Sequence, residues 1–484
     1  MNQTPKQVLD IEDALVTEDN PARDDKSLDY ERCARLHNYL VAYAWMARHD
    51  QQMPDLNELA SQRSRLFGED EEALRARLVP SMNSFLDSIY VPSDSFFYWV
   101  DGISMMFIDD EIFMDEKNEL EDKERFFVIY DTECNLGPHN LGVVYDQQLH
   151  RAAFPMTIWN TGSLEPISEH EEMWFPLETI LTHWIYMIRI GKVTVDSPEG
   201  EAPLEVAMTR SQIGLWSWLP YCAFQVDSTV AAMDRYTAAI EARMPPDSLL
   251  PVSRDTPLFT DADLDGASVP EECFIRSLLT RMKTPRFKAI APGLEVPHDV
   301  AAFVARQRFT DVVRHEEAWV RTSPAVLIFA AKEGNHQINF RDEIRHLFFE
   351  FGDEIPYTDQ DLIPAGLYSE SVCRTASDSE EAGFRLVLPF ELRPRGFSDK
   401  EGAIRSDGSP VSSGSVAELF QHGGFHPFGG EHRAQRLERL LDRWRELVES
   451  GVWTVGKDGV EGEITQFQDA DRDAWRDYFI PPDW

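Results

Sequence analysis

The sequence predicts a mixed α/β or α+β fold that is rich in helix, with a β-hairpin region, at least one strand–loop–helix unit and two packed units. Three observations predict this class. Short aromatic and β-branched runs lie at 126–130 and 142–145, a continuous apolar run of strand length covers 325–331, and apolar residues recur at helical spacing over 174–188. Segments whose apolar residues have the spacing of strands therefore alternate with segments that have the spacing of helices, which is typical of mixed folds.

The length and composition are those of a folded protein with more than one core. The 484 residues exceed what one compact core of ordinary size holds, so two packed units are expected. Apolar residues make up 43% of the chain and aromatic residues 11%, which is too rich for a disordered protein.

The chain is strongly acidic. It carries 85 acidic and 46 basic residues, which give a formal net charge of −39 at pH 7. Such a surface disfavours coating of DNA and adhesion to anionic lipid, and it attracts a cationic small substrate, a divalent metal or a basic partner. The simpler explanation is that an acidic surface keeps a cytosolic protein soluble.

The cysteines and the amino terminus both indicate the cytoplasm. The five cysteines are an odd number, lie far apart and form no CxxC pair, which predicts reduced thiols and no structural zinc site. The amino-terminal segment lacks the apolar core of a signal peptide, and no stretch approaches the ~18 uninterrupted apolar residues of a membrane-spanning helix. We therefore expect a cytoplasmic protein with no membrane partner.

The first half of the chain predicts a tail followed by an α+β domain. Residues 1–27 hold too few apolar side chains to fold alone and predict a disordered acidic tail. The amino-terminal domain covers 28–244. Near its start Asp55 is placed to cap a helix, and Glu58 stands three residues on as the partner in a capping box.

A hairpin and a long helix follow within this domain. The runs 126–130 and 142–145 flank a polar connection that contains Gly137 and Pro138, which predicts an antiparallel pair of strands. Gly191 stands where a left-handed cap would end the helix after them. The apolar residues that predict the buried face of this helix are Trp174, Leu177, Leu181, Trp184 and Ile188.

The second half predicts a linker and an α/β domain. A helix over 226–243 runs into Pro245, and the stretch 245–270 is rich in proline and aspartate, so it predicts a linker between domains. The carboxy-terminal domain covers 271–484 and begins with a helix over 271–282.

Strand and helix signals continue through the second domain. The apolar run 325–331 predicts a strand buried on both faces. A short loop at 332–336 and a helix capped by Asn339 would complete the strand–loop–helix unit. A further strand is predicted near 384–388, and the last clear element is a helix over 437–448.

The densest acidic segment within folded sequence covers 107–116 and reads Phe-Ile-Asp-Asp-Glu-Ile-Phe-Met-Asp-Glu. Hard cations take oxygen ligands, so adjacent carboxylates after an apolar run suit a magnesium–diphosphate site. They also suit a guanidinium group, which pairs bidentately with carboxylate. The simpler alternative is an exposed acidic turn between two hairpin strands, since runs of Asp and Glu usually face water.

A second acidic segment has the spacing of a calcium-binding loop. Asp261, Asp263, Asp265 and Gly266, with Glu272 at the twelfth position, match the ligand pattern of an EF-hand. Prolines on both sides of the segment are incompatible with the helices that flank an EF-hand loop. An acidic linker that caps the following helix is therefore the preferred interpretation.

Three further patterns are weaker candidates for chemistry. Asp342 and His346 stand one helical turn apart, where they could share a metal or a proton or form an ordinary salt link. The glycine- and histidine-rich stretch 421–432 predicts a mobile lid or a plain surface loop. Lys332 and Asn335 could contact a ligand at the carboxyl end of the predicted strand.

The chain resembles one known family over residues 30–484. The resemblance rests on the acidic segment, on the tryptophan-rich helix that leads into 191–193, and on the carboxy-terminal segments 444–453 and 478–482. The family is that of the fungal arginine-containing cyclodipeptide synthases. These transferases of secondary-metabolite and alkaloid biosynthesis take arginine from arginyl-tRNA and join it to a second amino acid as a diketopiperazine.

The resemblance implies a site. The family has a DDxxE motif, of which Asp109 and Asp110 match the first two positions, whereas Phe113 occupies the fifth. By this resemblance Asp109 and Asp110 hold the arginine or position the attacking amine, and Glu116 is a general base. The further substrate-binding residues implied are Glu111 and Asp115.

The resemblance also implies chemistry and partners. The reaction would be aminoacyl transfer, in which an amine or an enzyme nucleophile attacks the aminoacyl ester, with no cofactor and no metal. The partners would be arginyl-tRNA and a second amino acid or aminoacyl-tRNA. An aminoacyl-tRNA synthetase that delivers the charged tRNA is a further candidate partner.

Two other functions fit the same residues. A magnesium-dependent diphosphate enzyme similar to class I terpene cyclases would use the adjacent aspartates for Mg²⁺, and it predicts a mainly helical fold with a second metal-binding triad. A non-catalytic acidic interaction protein would bind basic partners through its surface, and it predicts no concave site beside the aspartates.

Overall fold

The computed structural model describes most of the chain, and every structural statement below concerns the described residues. They form the mixed helical and sheet fold that the sequence predicts. The described residues are 5–25, 27–62, 66, 70–92, 95–98, 100–108, 124–132, 141–154, 174–195, 211–213, 216–253, 255–310, 322–332, 337–340, 361–373, 381–396, 401–406, 408–422 and 434–481.

The first unit packs helices against two antiparallel sheets. One sheet has the strand order β1-β2-β3-β4, and in the other β7 lies between β5 and β6. Its helices are α1 (Pro5–Leu9), α2 (Tyr30–Arg48), α3 (Leu56–Ser61), α4 (Glu71–Arg77), α5 (Pro80–Ser88) and α6 (Leu177–Arg189). Its strands are β1 (Val100–Phe107), β2 (Phe126–Thr132), β3 (Val143–Asp146), β4 (Arg151–Ala153), β5 (Val193–Val195), β6 (Ser211–Ile213) and β7 (Trp216–Trp218).

The second unit contains five described α-helices, which contribute side chains to its core. Its α-helices are α7 (Ala223–Glu241), α8 (Asp261–Gly266), α9 (Phe274–Leu279), α10 (Val300–Arg306) and α11 (Leu437–Glu449). Short 3-10 helices cover Pro246–Ser248, Ile464–Asp471 and Asp473–Tyr478.

The second unit is built on a seven-stranded sheet of order β16-β14-β11-β9-β8-β18-β17, in which β8 and β18 run parallel and the other described neighbours run antiparallel. Two small pairs, β10 with β15 and β12 with β13, complete it. The strands are β8 (Ala289–Ala291), β9 (Leu294–Glu295), β10 (Thr322–Ser323), β11 (Leu327–Ala331), β12 (Gln337–Asn339), β13 (Leu362–Pro364), β14 (Gly366–Ser369), β15 (Val372–Cys373), β16 (Phe384–Val387), β17 (Val455–Gly456) and β18 (Gly459–Val460).

The periodic elements of the first unit are confirmed. Strands β2 and β3 pair antiparallel, with Phe127 opposite Tyr145, as the predicted hairpin requires. The five apolar residues at 174–188 that predict the buried face of the helix are all buried. Gly191 has φ +74° after α6, where a side chain would strain the backbone, so it ends the helix as predicted. Asp55 caps α3 by accepting a hydrogen bond from Asn57 N at 2.9 Å.

Strand β11 is buried on both faces, as its apolar run predicts. Ile328 and Phe329 face the large core of the second unit, whereas Leu327 and Ala330 belong to a smaller cluster on the other face. Both neighbours of β11 run antiparallel to it. The predicted cap at Asn339 is wrong, because Asn339 pairs with Leu362 as part of strand β12. The helix expected after it lies outside the described residues.

The boundary between the two cores differs from the predicted linker. One core cluster runs from Val8 to Trp218, and the largest cluster begins at Val226 in α7. The stretch 245–270 contributes Phe259 and other buried side chains to that second cluster. The prolines of the stretch 245–270 end helices. The stretch is nevertheless not an independent linker, because the apolar residues between its prolines are buried in the second core.

The amino-terminal segment packs against the first unit where a disordered tail is predicted. Val8, Ile11 and Ala14 stand three residues apart and are buried in the first core. Arg32 of α2 donates hydrogen bonds to Ala14 O and Leu15 O, each at 2.7 Å. The few apolar residues suffice because α2 supplies the surface that covers them.

A buried polar network joins the two units. Lys192 follows α6 in the first unit, and its Nζ lies 2.6 Å from Glu381 Oε1 of the second unit, with side chains 0% and 2% exposed. Trp218 Nε1 of β7 donates to the other carboxylate oxygen at 3.1 Å. Gln225 of α7 donates to Glu381 at 2.7 Å and accepts from Lys192 at 3.2 Å. Each charge therefore has directed partners, as a buried ion pair requires.

We predict that Lys192→Met lowers the free energy of unfolding by about 3–5 kcal/mol, because it removes the cation that contacts the buried Glu381 carboxylate at 2.6 Å. Urea denaturation measures this loss. Lys283→Met is the matched control, since Lys283 forms an exposed pair with Asp234 at 3.0 Å, and it should cost less than ~1 kcal/mol. Equal effects of the two substitutions would show that the network does not hold the units together.

His37 is a buried, neutral histidine of the first core. Its Nδ1 lies 3.0 Å from Tyr130 Oη and its Nε2 lies 2.8 Å from Tyr90 O. A carbonyl oxygen can only accept, so Nε2 carries the proton and Nδ1 accepts from the tyrosine hydroxyl. Burial lowers the pKa of His37 to about 4.

The lowered pKa of His37 predicts a pH-dependent stability. Between about pH 4 and 6.5 the unfolded chain binds a proton that the folded protein does not, so stability rises with pH across this window and falls by about 3 kcal/mol on acidification. His37→Phe should flatten that rise in urea titrations at several pH values. His49→Asn, at an exposed histidine, should leave it unchanged. An unaltered pH profile in His37→Phe would contradict the prediction.

The structure bears on the predictions about membrane spans and about cysteines for the described residues only. Among the described residues, no helix combines the length and apolar character that crossing a membrane requires. Cys33, Cys222 and Cys273 are free thiols and are buried, in agreement with the predicted reduced state of those three.

Candidate functional site

The acidic motif connects two paired strands of the first unit. Phe107 is the last residue of β1 and pairs with Phe127 of β2. Ile108 is buried, and its N–H donates to Phe126 O at 3.1 Å. The chain therefore enters the motif from a fixed position at the edge of the core. The predicted site residues Asp109, Asp110, Glu111, Asp115 and Glu116 lie outside the described residues.

Two arginines lie where the acidic connection leaves and rejoins the sheet. The Arg77 guanidinium stands 3.8 Å over the Phe107 ring, and its Nε lies 3.4 Å from Glu124 Oε1. Arg125 donates to the buried carboxylate of Asp146 at 2.7 Å. Both ends of the connection are thus held by cations that already have carboxylate partners.

A second candidate site is an open cleft of about 610 Å³ in the second unit, here named the α10 cleft. Its walls are helix α10, strand β11 and the connection that leaves β9. Phe303 and Ile328 contribute apolar surface, and the polar groups include Lys288, His298 and Lys332. A volume of this size, with an apolar lining and a few polar groups, is typical of small-molecule sites.

The local sequence explains how the cleft forms. Gly293 turns β8 into β9 with φ +69°, and a Cβ there would stand 2.2 Å from Ile464 N, so only glycine fits. Asp299 caps α10 by accepting a hydrogen bond from Ala302 N at 3.2 Å. The hairpin and the helix are thereby fixed on either side of the opening.

Gln307 ties helix α10 to strand β11. Its Oε1 accepts from Leu327 N at 2.9 Å, and its Nε2 donates to Leu327 O at 3.1 Å. The side-chain amide thus makes the hydrogen bonds that a neighbouring strand would make, and it satisfies the N–H and the C=O of Leu327. This contact holds the end of α10 against β11 in the wall of the cleft.

His298 is the group of the cleft best suited to accept a proton. Its Nε2 lies 2.8 Å from Phe287 O, so Nε2 carries the proton when the ring is neutral. The lone pair then lies on Nδ1, which has no hydrogen-bond partner among the described residues. An imidazole in this tautomer at the wall of an open cleft can act as a general base.

The lining of the cleft carries charges of both signs. Lys288 Nζ lies 3.0 Å from Asp458 Oδ1. This hydrogen bond to Lys288, together with the charges of Lys288, Lys457 and Lys332, lowers the pKa of the Asp458 carboxyl. Lys288 and Lys332 line the cleft, and Glu295 and Asp299 supply negative charge in the same lining.

The structure places some of the weaker sequence candidates. Lys332 lines the α10 cleft at the carboxyl end of β11, as its position in the sequence predicts. The calcium-loop pattern is wrong, because Asp261 and Asp265 belong to helix α8 and bind Arg276 at 3.0 and 2.7 Å. The remaining candidates, Asn335, Asp342, His346 and 423–432, lie outside the described residues.

Sequence reasoning did not identify His298, Gln307 or Lys288. They belong to no motif: Lys288 precedes strand β8, whereas His298 and Gln307 stand at the two ends of helix α10. The only local signal is the position of His298 in a proline-containing connection between a strand and a helix. Within the described ranges, no group of three or more His, Cys, Asp or Glu side chains is arranged to hold a metal ion.

Comparison with known proteins gives no relative: no family model, curated protein or solved structure matches the chain.

We predict that Gln307→Glu makes stability depend on pH. When protonated, the introduced carboxyl group can still donate to Leu327 O, whereas its ionised form repels that oxygen, so the folded state raises its pKa above ~4.3. The variant should match the parent near pH 4 and lose about 1–3 kcal/mol as pH rises to 7. Urea denaturation measures the difference. Gln307→Ala is the control and should show a loss that does not change with pH.

Proposed function

We propose that the protein is an arginine-containing cyclodipeptide synthase, which transfers an aminoacyl group from arginyl-tRNA to a second amino acid or aminoacyl group and forms a cyclic dipeptide. The observation that carries the proposal is the acidic motif that begins directly after strand β1. Phe107 and Ile108 are buried at its start. Carboxylates that leave a rigid strand can be held in a fixed geometry, which recognition of a substrate guanidinium needs.

The proposed roles follow the chemistry of the groups. Asp109 and Asp110 bind the arginine side chain or position the amine, and Glu111 and Asp115 add substrate contacts. Glu116 accepts the proton of the amine as its nitrogen attacks the ester carbonyl of the aminoacyl-tRNA. The carbonyl carbon gains a bond to nitrogen and loses its bond to the tRNA ribose oxygen, which takes the proton from Glu116. The remaining amine then attacks the ester of the second aminoacyl group in the same way, which forms the second amide and closes the ring. Neither a cofactor nor a metal takes part in the proposed reaction.

The charge of the protein bears on the proposed partner. A net charge of −39 repels tRNA. Lys288 and Lys332 in the lining of the α10 cleft reduce that repulsion locally. Delivery by an aminoacyl-tRNA synthetase would reduce it further, so we retain such an enzyme as a proposed partner.

The fold argues against the terpene-cyclase alternative. That function predicts a mainly helical protein, whereas the described residues form a four-stranded, a seven-stranded and three smaller sheets. The α10 cleft, with the imidazole of His298 in its wall, supports an enzyme more than an interaction protein that works only through its surface.

The proposed function is tested by expressing the protein in a heterologous host and analysing the extract by mass spectrometry for arginine-containing diketopiperazines. We predict that Asp110→Ala abolishes the product and leaves thermal melting close to that of the parent, because the residue acts on the substrate. Asp247→Ala is the matched control, since it removes an exposed carboxylate from a short 3-10 helix. Undiminished product from Asp110→Ala would remove the site assignment, and no product from soluble parent protein would remove the function.

A further inference from the structure

A carboxylate and an ammonium group of the α10 cleft share one face of the sheet. Ala330 of β11 pairs directly with Glu295 of β9, so both side chains leave the sheet on the same face. Lys332 follows two residues after Ala330, and its N–H donates to Gly293 O at 2.9 Å, which continues the ladder. Because side chains alternate along a strand, Lys332 lies on that face too. Glu295, Ala330 and Lys332 all line the cleft.

The two charged residues stand close enough for one small molecule to contact both. Glu295 and Lys332 are diagonal neighbours across an antiparallel pair, and the Cα atoms of such neighbours are about 7–8 Å apart. Lys332 is exposed and Glu295 is partly exposed. A ligand that enters the cleft from solvent can therefore reach both charges from the same side.

Neither charge is satisfied within the described ranges of the chain. There the Glu295 carboxylate and the Lys332 ammonium group form no hydrogen bond and no ion pair, with each other or with a neighbour. Another pair in the same sheet has the same diagonal offset and bonds directly. Arg385 of β16 stands opposite Tyr368, and its Nε donates to Glu370 Oε1 at 2.9 Å. The pair in the cleft instead leaves both groups open to a ligand.

The other charged groups of the lining already have partners. Lys288 Nζ lies 3.0 Å from Asp458 Oδ1, and Asp299 accepts the cap bond from Ala302 N at 3.2 Å. Arg306 also has an interaction partner. The two diagonal residues are therefore the charges that a ligand can bind without displacing a protein group.

An apolar surface lies beside the two charges. We name Val296, Phe303 and Ile328 the apolar floor; they line the cleft and are 5%, 3% and 1% exposed. The Phe303 ring is held by Phe259, with 4.1 Å between the ring centroids. The cavity of about 610 Å³ has room for more than the charged groups of a ligand, so an apolar body can cover the floor.

We propose that the α10 cleft binds a free α-amino acid with a large apolar side chain. Such a molecule carries an ammonium group and a carboxylate on one carbon atom, so both charges fit between Glu295 and Lys332. The ligand ammonium group donates to the Glu295 carboxylate, and the ligand carboxylate accepts from Lys332 Nζ. The side chain of the ligand covers the apolar floor. The proposal does not depend on the proposed function, because the acidic motif takes no part in it.

The proposal is tested on the full-length protein by isothermal titration calorimetry with L-phenylalanine and without tRNA. Glu295→Gln and Lys332→Met should each raise the dissociation constant by about 10-fold or more, because each removes a charge-assisted hydrogen bond. Glu272→Gln and Lys457→Met are the matched controls. They change exposed residues outside the lining of the cleft, so they should leave the dissociation constant unchanged.

Two analogues of phenylalanine test the two charges separately. Hydrocinnamate lacks the ammonium group and phenethylamine lacks the carboxylate, so each should bind the parent about 10-fold or more weakly than L-phenylalanine does. Glu295→Gln should not weaken hydrocinnamate binding, and Lys332→Met should not weaken phenethylamine binding, because these ligands lack the group that the altered residue contacts. L-alanine should bind less tightly than L-phenylalanine, because it covers less of the apolar floor.

Three results would overturn the proposal. The first is a parent protein that does not bind L-phenylalanine. The second is hydrocinnamate that binds as tightly as L-phenylalanine, which would assign the cleft to monocarboxylates. The third is an unchanged dissociation constant in both Glu295→Gln and Lys332→Met, which would place the binding elsewhere. Both variants should melt close to the parent without ligand, because neither side chain has a protein partner to lose in the described ranges.

Discussion

The ion pair between Lys192 and Glu381 is the interaction on which the arrangement of the two units depends. Both charges are removed from water, and each needs directed partners at short range. Trp218 comes from the first unit and Gln225 from the second, so the network is complete only when the units meet in one relative position. Apolar surfaces tolerate small shifts, whereas a buried hydrogen-bonded charge does not.

Each candidate site is next to a strand, the acidic motif in the sequence and the α10 cleft in the structure. The acidic motif leaves the end of β1, and the α10 cleft opens beside β11. The last residue of β1 and all of β11 are buried, so the chain enters each site from a rigid position. The connections beyond the strands can then carry polar groups without a cost to the core.

The candidate sites could be predicted only where a local pattern marks them. Lys332 follows a continuous apolar run, so its place at a strand end could be inferred from its neighbours. His298 and Gln307 have no such pattern. Their contacts are with Phe287 and with Leu327 of β11, and these contacts form only when the chain packs. Glu295 and Lys332 likewise share a face of the cleft only because β9 pairs with β11. A contact between distant segments produces no periodic pattern of residues from which it could be predicted.

The sequence by itself determined the elements whose periodicity reports a buried face. Helix α6, the β2–β3 hairpin and strand β11 follow from the spacing of their apolar residues, because that spacing decides which backbone can hide them. Only the tertiary structure decided what covers each face. It placed the 245–270 stretch in the second core, packed the amino-terminal segment on α2, and turned Asn339 into part of a strand. The reason is that burial of a marginally apolar segment depends on the surface it meets, and distant parts of the chain supply that surface.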